Sequence, residues 1–332
     1  MARLIALDLP AGSAFVDALR RAWDDGDALV IGTSGSTGDP KLVVHTLAGL
    51  QAHADAVHSH LMVDPTTDRW LACLPLAHIG GLGVVTRSVL TSTPVDVLPA
   101  FDAATVGDAP RTLRSTLVSL VPTALDRIDP TGFRWIVLGG SADPVERQAN
   151  VVHTYGLTET GGGIVYGDVA LAGVDLRTGA GDEIEVRGRM LARGIRRPDG
   201  GVVGITDDDG WFRTGDLGRV RITGDGPRLE VFGRGDDLIV TGGQNVWPAP
   251  VEAAIKEHPA VAEVAVVGRP DPEWGTAVVA VVEPAAGARP PTLAELRDAV
   301  REVLPAYAAP KAIELVDALP RTPSGKVRRR SL

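Results

Sequence analysis

The sequence predicts an α/β protein: a large N-terminal layered α/β domain that includes an antiparallel β region, followed by a small C-terminal α+β domain. Three observations predict it. Short apolar runs alternate with helical stretches up to about Thr160, the pattern of a layered α/β domain. From Asp182 the texture changes: Glu183–Arg187 alternates with period two and glycines punctuate the segments beyond it, as in antiparallel strands. Near Gly233–Asp237 the composition resets, and the remaining stretch of roughly 95 residues has the size of a small domain.

Taken in order, Ser13–Trp23 reads as a helix, Ala28–Ile31 as a strand and Thr46–Leu61 as a second helix. Trp70–Leu74, Val95–Leu98, Thr116–Val121 and Trp135–Leu138 are short apolar runs of strand length. Beyond the reset come a helix over Ala249–Glu257, strands over Ala262–Val267 and Ala277–Val282, and a helix over Thr292–Val303. Pro284–Pro291 is rich in Pro and Ala and reads as a loop, and a basic tail closes the chain.

Composition excludes several classes. With 44% apolar and 23% charged residues the 332-residue chain reads as globular and large enough for two or three domains. Its net charge of −9 argues against a general nucleic-acid binder. A single cysteine, Cys73, cannot form an intrachain disulfide and suits a reducing compartment. No apolar run approaches the ~20 residues of a membrane span, and the N-terminus lacks a full signal-peptide pattern. The expectation is a cytoplasmic enzyme, and the sequence allows a homodimer without dictating one.

Ile31–Lys41 packs three glycines, four hydroxyl side chains and one lysine into eleven residues, a loop suited to wrapping an anion. It is not a P-loop, because Gly38 is followed by Asp39 and the lysine comes after Pro40. Neither Ser34 nor Ser36 sits in a nucleophile elbow, and no dinucleotide fingerprint is present. A flexible surface loop is the plainer reading. Four further clusters lie downstream. His153–Gly163 carries Tyr155, which can face a base, Thr158, which can bond a phosphate, and Glu159, a hard oxygen ligand suited to Mg²⁺ beside phosphates. A Gly-rich turn with a solvated Glu is its plainer reading. Gly210–Gly218 places Asp216 near glycines, where a carboxylate can bind ribose hydroxyls or simply close a turn. Gly233–Pro248 sits at the composition break, and Leu319–Arg330 carries Lys326 after a Ser-Gly pair within what is otherwise a solvated basic run.

In this order the five clusters resemble the adenylate-forming superfamily of acyl-CoA synthetases, carrier-loading adenylation domains and luciferases. The resemblance runs from Ala28 to Arg329. It implies ATP, Mg²⁺ and coenzyme A as small-molecule partners, with a large domain over 1–235 and a small mobile lid over 236–332 that rotates about Asp236 between half-reactions. Thr33, Ser34, Gly35, Ser36, Thr37, Gly38 and Lys41 would hold the β- and γ-phosphates. Gly139, Gly140, Ser141, Thr154, Tyr155 and Gly156 would form the adenine and AMP pocket. Thr158 would contact the α-phosphate, Glu159 the Mg²⁺, and Asp216 with Arg234 the ribose. Lys326 would bridge the carboxylate and the α-phosphate, and Gly242 and Gly243 would line the pantetheine tunnel. The chemistry fits: a carboxylate must attack a phosphate, and a lysine and Mg²⁺ neutralise the repulsion.

Only about thirty residues precede the phosphate loop. In that compactness the chain resembles actinobacterial o-succinylbenzoate–CoA ligases of menaquinone biosynthesis. Leu74–Gly83 with Arg87, and Gly161–Tyr166, resemble two segments of that subgroup. By that resemblance His78, Arg87, Gly161, Gly162, Gly163, Val165 and Tyr166 would meet the acid, with Arg87 pairing the carboxylate that is not activated and the glycines leaving a slot for its ring. A packed histidine and a surface ion pair are the plainer readings of His78 and Arg87. Another aryl or alkyl acid, a carrier-loading enzyme and a non-catalytic nucleotide binder remain as alternatives. The chain departs from the family at Asp39 and Leu42, and twelve residues between Ser141 and Thr154 imply a trimmed helix. His45, His53, His58 and His60 lack the converging ligands of a zinc site and read as a solvated polar face.

Overall fold

The computed structural model describes residues 12–23, 29–33, 41–140, 147–224, 226–321 and 327–332. These form two units, one of 1–178, 185–214 and 220–230, the other of 179–184, 215–219 and 231–332.

The first unit begins with helix α1 (Ser13–Trp23), which buries Phe15, Val16 and Leu19 along one stripe. Strands β1 (Leu29–Thr33) and β2 (Lys41–His45) then pair antiparallel, from Leu29 opposite His45 to Thr33 opposite Lys41. The anion loop is therefore a hairpin connection whose base is the Thr33–Lys41 pair; its residues 34–40 lie outside the described residues. Helix α2 (Leu47–Leu61) starts where Thr46 accepts a hydrogen bond from Gly49 N–H and stops where Met62 turns left-handed. Next come β3 (Trp70–Ala72), α3 (Ile79–Leu90), β4 (Val95–Val97), α4 (Ala103–Thr112), β5 (Leu117–Leu120), α5 (Pro122–Leu125) and β6 (Trp135–Leu138). Helix α3, buried from Gly81 to Ser88, was not foreseen: it is apolar nearly all round, so it shows no amphipathic stripe.

Strand β7 (Val151–Leu157) is the pivot of the main sheet. It is parallel to β6 on one side and antiparallel to β8 (Gly162–Tyr166) on the other. β9 (Val169–Ala170), β10 (Val174–Thr178), β11 (Glu183–Gly188), β12 (Gly194–Arg196), β13 (Val202–Val203), β14 (Phe212–Thr223) and β15 (Gly226–Arg234) come after it. The eleven-stranded sheet runs β10-β11-β14-β15-β9-β8-β7-β6-β5-β3-β4, and a four-stranded sheet runs β1-β2-β12-β13. Residues 183–184, 215–219 and 231–234 of these strands belong to the second unit. Strands β3 to β6 are parallel and covered on one face by α4 and α5, with Leu71, Val118, Leu120, Ile136 and Leu138 at the centre. Each such side chain contributes roughly 1.5–3 kcal/mol by leaving water.

In the second unit β16 (Ile239–Thr241) and β17 (Gln244–Val246) form a hairpin closed by Gly242 and Gly243. Both glycines have positive φ, 54° and 78°, as a two-residue type I′ turn requires. Helix α6 (Pro248–Lys256) leads to β18 (Val261–Asp271) and β19 (Gly275–Pro284), antiparallel along their whole length. Helix α7 (Leu293–Val303) opens with a capping box between Thr292 and Glu295. Strand β20 (Ala312–Leu315) adds parallel to β19, a strand the apolar pattern did not reveal. Val264, Val266, Val278, Ala280 and Val282 face α6 and α7, while Ala265, Val267, Val279 and Val281 face Leu319. Both sheet faces are buried, which explains the unbroken apolar runs.

Candidate active site

Two neighbouring parallel strands, β6 and β7, carry the first part of the site. On β7, Thr154 and Tyr155 sit just past the parallel register that ends at Leu138 opposite His153. Thr154 donates its hydroxyl to Leu138 O at 3.0 Å and fills the space beside Gly139. Gly139, Gly140, Thr154, Tyr155 and Gly156 are thus neighbours at the carboxyl end of β6 and along β7, where open α/β sheets place ligands. Ser141 lies outside the described residues, as do Ser34, Gly35, Ser36, Thr37, Gly38 and Lys326. Residues 147–150, the described part of the segment before β7, are not helical.

The turn Thr158–Gly163 joins β7 to β8, and four of its backbone carbonyls are held. His45 Nε2 donates to Thr158 O at 2.7 Å, Ala192 N–H to Glu159 O at 2.8 Å, Thr160 Oγ1 to Gly162 O at 2.7 Å, and His53 Nε2 to Gly163 O at 2.9 Å. A carbonyl only accepts, so both imidazoles carry hydrogen on Nε2. The Glu159 side chain makes no hydrogen bond or ion pair among the described residues, so its carboxylate is uncommitted. The glycines admit the chain itself. A Cβ on Gly162 would stand 3.1 Å from His53 Cε1, and one on Gly163 would stand 2.9 Å from Thr154 Cβ.

His45, His53 and His58 are buried, and only His60 faces solvent. The expected solvated face is therefore corrected: the β7–β8 hairpin and α3 cover it. Burial pushes His53 down to about 3, aided by the charge of Arg87. Burial and Arg87 likewise bring His58 down to about 4, against Asp55 and Asp68, while it accepts a hydrogen bond from Trp70 Nε1 at 3.2 Å. Both rings are neutral in the fold and would be cations below 6.5 in the unfolded chain. Their stabilisation is thus complete above pH 6.5 and is lost as pH falls, by about 1.4 kcal/mol per pH unit and per ring until each folded value is reached. Thermal unfolding measured at pH 7 and pH 4.5 is expected to show that loss, and His53→Gln to lessen it.

His78 caps α3 and lines an open cleft of about 460 Å³ together with Ile31, Gly32, Thr33, Leu76 and Leu82. Arg87 lies nine residues further along, half a helical turn out of phase, and does not reach that cleft. It is buried rather than in a surface ion pair, and its guanidinium stacks 4.5 Å from the Trp70 ring centre and donates to Ser119 Oγ at 3.3 Å. Among the described residues neither its Nε nor the buried Tyr166 hydroxyl meets a partner in hydrogen-bond geometry, although the two side chains are close enough to interact with each other. Burial lowers Arg87 from its ordinary value, opposed by Tyr166, and no ion pair reaches it among the described residues. Val165 and Tyr166 are both core residues.

In the second unit Arg234 Nη1 donates to Asp216 Oδ1 at 3.0 Å. Asp236 sits in a 3₁₀ turn, Gly235–Asp237. Gly242 donates its N–H to Trp274 O at 2.9 Å, and a Cβ there would lie 2.8 Å from the Trp274 ring. The tail beyond residue 326 is anchored: Arg329 forms a forked ion pair with Glu252 at 2.6 Å, and Val327 bridges antiparallel to Arg321.

Sequence reading missed His45, His53 and the Arg329–Glu252 anchor. Three histidines in fourteen residues around apolar positions were the available signal, since buried histidines bond to backbone at long range.

Two family descriptions match: AMP-binding enzyme over residues 11–187, and AMP-binding enzyme C-terminal domain over residues 250–326. A probable 2-succinylbenzoate–CoA ligase of Mycobacterium tuberculosis is 40% identical, covering 93% of this chain and 84% of its own. A 2-succinylbenzoate–CoA ligase of Bacillus licheniformis is 33% identical over 93% of this chain and 70% of its own. Among solved structures, o-succinylbenzoate CoA synthetase from Bacillus subtilis, in complex with the acyl-adenylate intermediate OSB-AMP, superposes with a TM-score of 0.81. Its identity is 30%, covering 91% of this chain and 68% of that one. With two family descriptions spanning the pivot strand, the pinned turn and the small C-terminal unit, the chain belongs to the AMP-binding enzyme family.

Proposed function

We propose that this chain is an AMP-forming acid–CoA ligase that converts o-succinylbenzoate, ATP and CoA to o-succinylbenzoyl-CoA, AMP and pyrophosphate. The observation that carries the reaction class is the Thr158–Gly163 turn, held through its carbonyls while its Glu159 carboxylate is uncommitted among the described residues. The relatives named 2-succinylbenzoate–CoA ligase, and the synthetase whose structure holds OSB-AMP, support the acid.

A magnesium ion fits this donor set. Among the described residues no group of three or more His, Cys, Asp or Glu could hold a metal ion. One free carboxylate plus substrate phosphates is the usual Mg²⁺ arrangement. Glu159 would be its protein ligand, and the ion would neutralise phosphate charge.

The chain's residues then divide the work. The loop closed by Thr33 and Lys41 would cradle the β- and γ-phosphates, and Thr158 the α-phosphate. Gly139, Gly140, Thr154, Tyr155 and Gly156 would form the adenine side, and the Asp216–Arg234 pair would take the ribose hydroxyls. The acid's carboxylate oxygen attacks the α-phosphorus, and the bond to pyrophosphate breaks. The CoA sulfur then attacks the acyl carbon and AMP leaves. Lys326 would offset the repulsion in the first step. His78 would meet the acid from the cleft, and the charge of buried Arg87, which meets no carboxylate among the described residues, would favour its second carboxylate from behind.

Pyrophosphate exchange and CoA-thioester formation, run over a panel of aryl and alkyl acids with purified protein, test this. Turnover with o-succinylbenzoate above the other acids is expected. Preference for another acid would overturn the substrate, and acyl transfer only to a carrier protein would overturn the acceptor. Glu159→Gln is expected to lower adenylation by about 10²-fold with an unchanged melting temperature, since that side chain makes no hydrogen bond or ion pair among the described residues.

A further inference from the structure

We propose that His45 and His53 are positioning residues for adenylation: they grip the two ends of the Thr158–Gly163 turn and so set where Thr158 and Glu159 stand. The inference rests on the reading of Thr158 and Glu159 as phosphate and Mg²⁺ ligands.

The geometry is specific. His45 Nε2 meets Thr158 O at 2.7 Å and His53 Nε2 meets Gly163 O at 2.9 Å, across 113 and 110 residues of sequence. These carbonyls are the first and last of the turn. The two histidines come from different elements, β2 and α2, so they approach it from two anchor points. His53 also abuts the turn, its ring occupying the space a Gly162 side chain would need.

His45 has a second consequence. It ends β2, the strand that begins at Lys41. Lys41 pairs with Thr33 at the base of the phosphate loop. One extended strand of five residues therefore ties the base of that loop to the turn bearing Glu159. A strand is stiff along its axis, so the spacing of these two anion-binding elements is set by it. Residues 192–193 bridge the turn and the strand: Ala192 N–H bonds Glu159 O in the turn, and Arg193 N–H bonds Val44 O on β2, both at 2.8 Å.

The arrangement keeps a cost that simple packing would have removed. With hydrogen on Nε2, His45 Nδ1 is a buried acceptor with no donor among the described residues. An apolar side chain would leave no such orphan, but it could not hold the Thr158 carbonyl.

The test compares His45→Gln and His53→Gln, which keep a donor near the Nε2 position, with His45→Leu and His53→Leu, which remove it. The Gln forms are expected to adenylate within about three-fold of the parent, and the Leu forms to lose about ten-fold in kcat with a raised KM for ATP. Thioester formation from preformed acyl-adenylate is expected to change little in all four. If a Leu form does not fold, His45→Asn or His53→Asn replaces it, since the shorter amide falls short of the carbonyl. Adding His45→Leu to Glu159→Gln is expected to cost far less than it does alone, because the histidine acts through that turn. Fully additive losses, Gln forms as poor as Leu forms, or folded Leu and Asn forms at parental rates would each overturn the proposal. Those outcomes are separable from failure of the underlying reading, which shows as a Glu159→Gln protein that adenylates normally.

Discussion

Lys326→Ala is expected to lower the adenylation half-reaction by about 10³-fold while acyl transfer from preformed acyl-adenylate stays within a few-fold of the parent. The asymmetry comes from charge. In the first half-reaction a carboxylate approaches a phosphate, and both are anions, so removing a cation exposes the full repulsion. In the second, a thiol attacks an activated acyl carbon and AMP departs, and that repulsion is gone. Lys326 itself lies outside the described residues, but the described residues on either side of 322–326 are fixed. The Arg321–Val327 bridge holds one side, and the Arg329–Glu252 ion pair, with Asp237 3.6 Å from Arg329, holds the other. The substitution is therefore expected to leave the C-terminal unit folded, with an unchanged melting temperature. Pyrophosphate exchange and single-turnover thioester formation, measured on the same preparation, separate the two steps. Equal losses in both would refute the assigned role.

Gly156→Ala is expected to destabilise the protein by about 3 kcal/mol or more and to abolish tight ATP binding. The added methyl would press into the Gly162 carbonyl and stand 2.6 Å from Gly163 Cα. Those atoms are backbone, so no rotamer change relieves the overlap. Gly156 also pairs with Gly163 at the register shift just after Tyr155, so β8 would have to move as a whole. The turn it leads to cannot shift freely, because His45, Ala192, Thr160 and His53 hold its carbonyls. Gly204→Ala is the matched control: nothing lies within 4 Å of its added methyl, and about 0.5 kcal/mol or less is expected. Urea unfolding of both variants, with ATP titration, provides the comparison. A Gly156→Ala protein as stable as the control would contradict the packing described.

The elements most legible in the sequence were those whose signal is local. Thr46 and Thr292 mark helix starts because each side chain accepts from a backbone N–H three residues on. Trp135–Leu138 and the valine runs of β18 and β19 are readable because strands covered on both faces are apolar without interruption. Helix α3 escaped for the same physical reason: burial on all sides removes the periodic stripe. Strand β20 escaped because its four residues, two exposed and two half-buried, carry too little pattern. In the site, the glycines of residues 161–163 read as room for a ring, whereas the space on their Cβ side is taken by His53 and Thr154. His78 and Arg87 were both expected to meet the acid, yet their spacing on α3 sends His78 to the cleft and Arg87 to the core against Trp70.

What the sequence determined by itself was the order of chemistry-bearing segments: an anion loop, a Thr-Glu turn, an Asp between glycines, a composition break and a late lysine. These are legible because each is a short run whose function depends on adjacent residues. What only the tertiary structure decided was the scaffolding of that chemistry. It closes the anion loop as a hairpin on Thr33 and Lys41, turns three histidines inward, and assigns two of them to carbonyls more than a hundred residues away. A hydrogen bond to a backbone carbonyl leaves no mark at the accepting residue's side chain. Its partner is chosen by how the sheets and helices pack, so no local pattern in the chain could have named it.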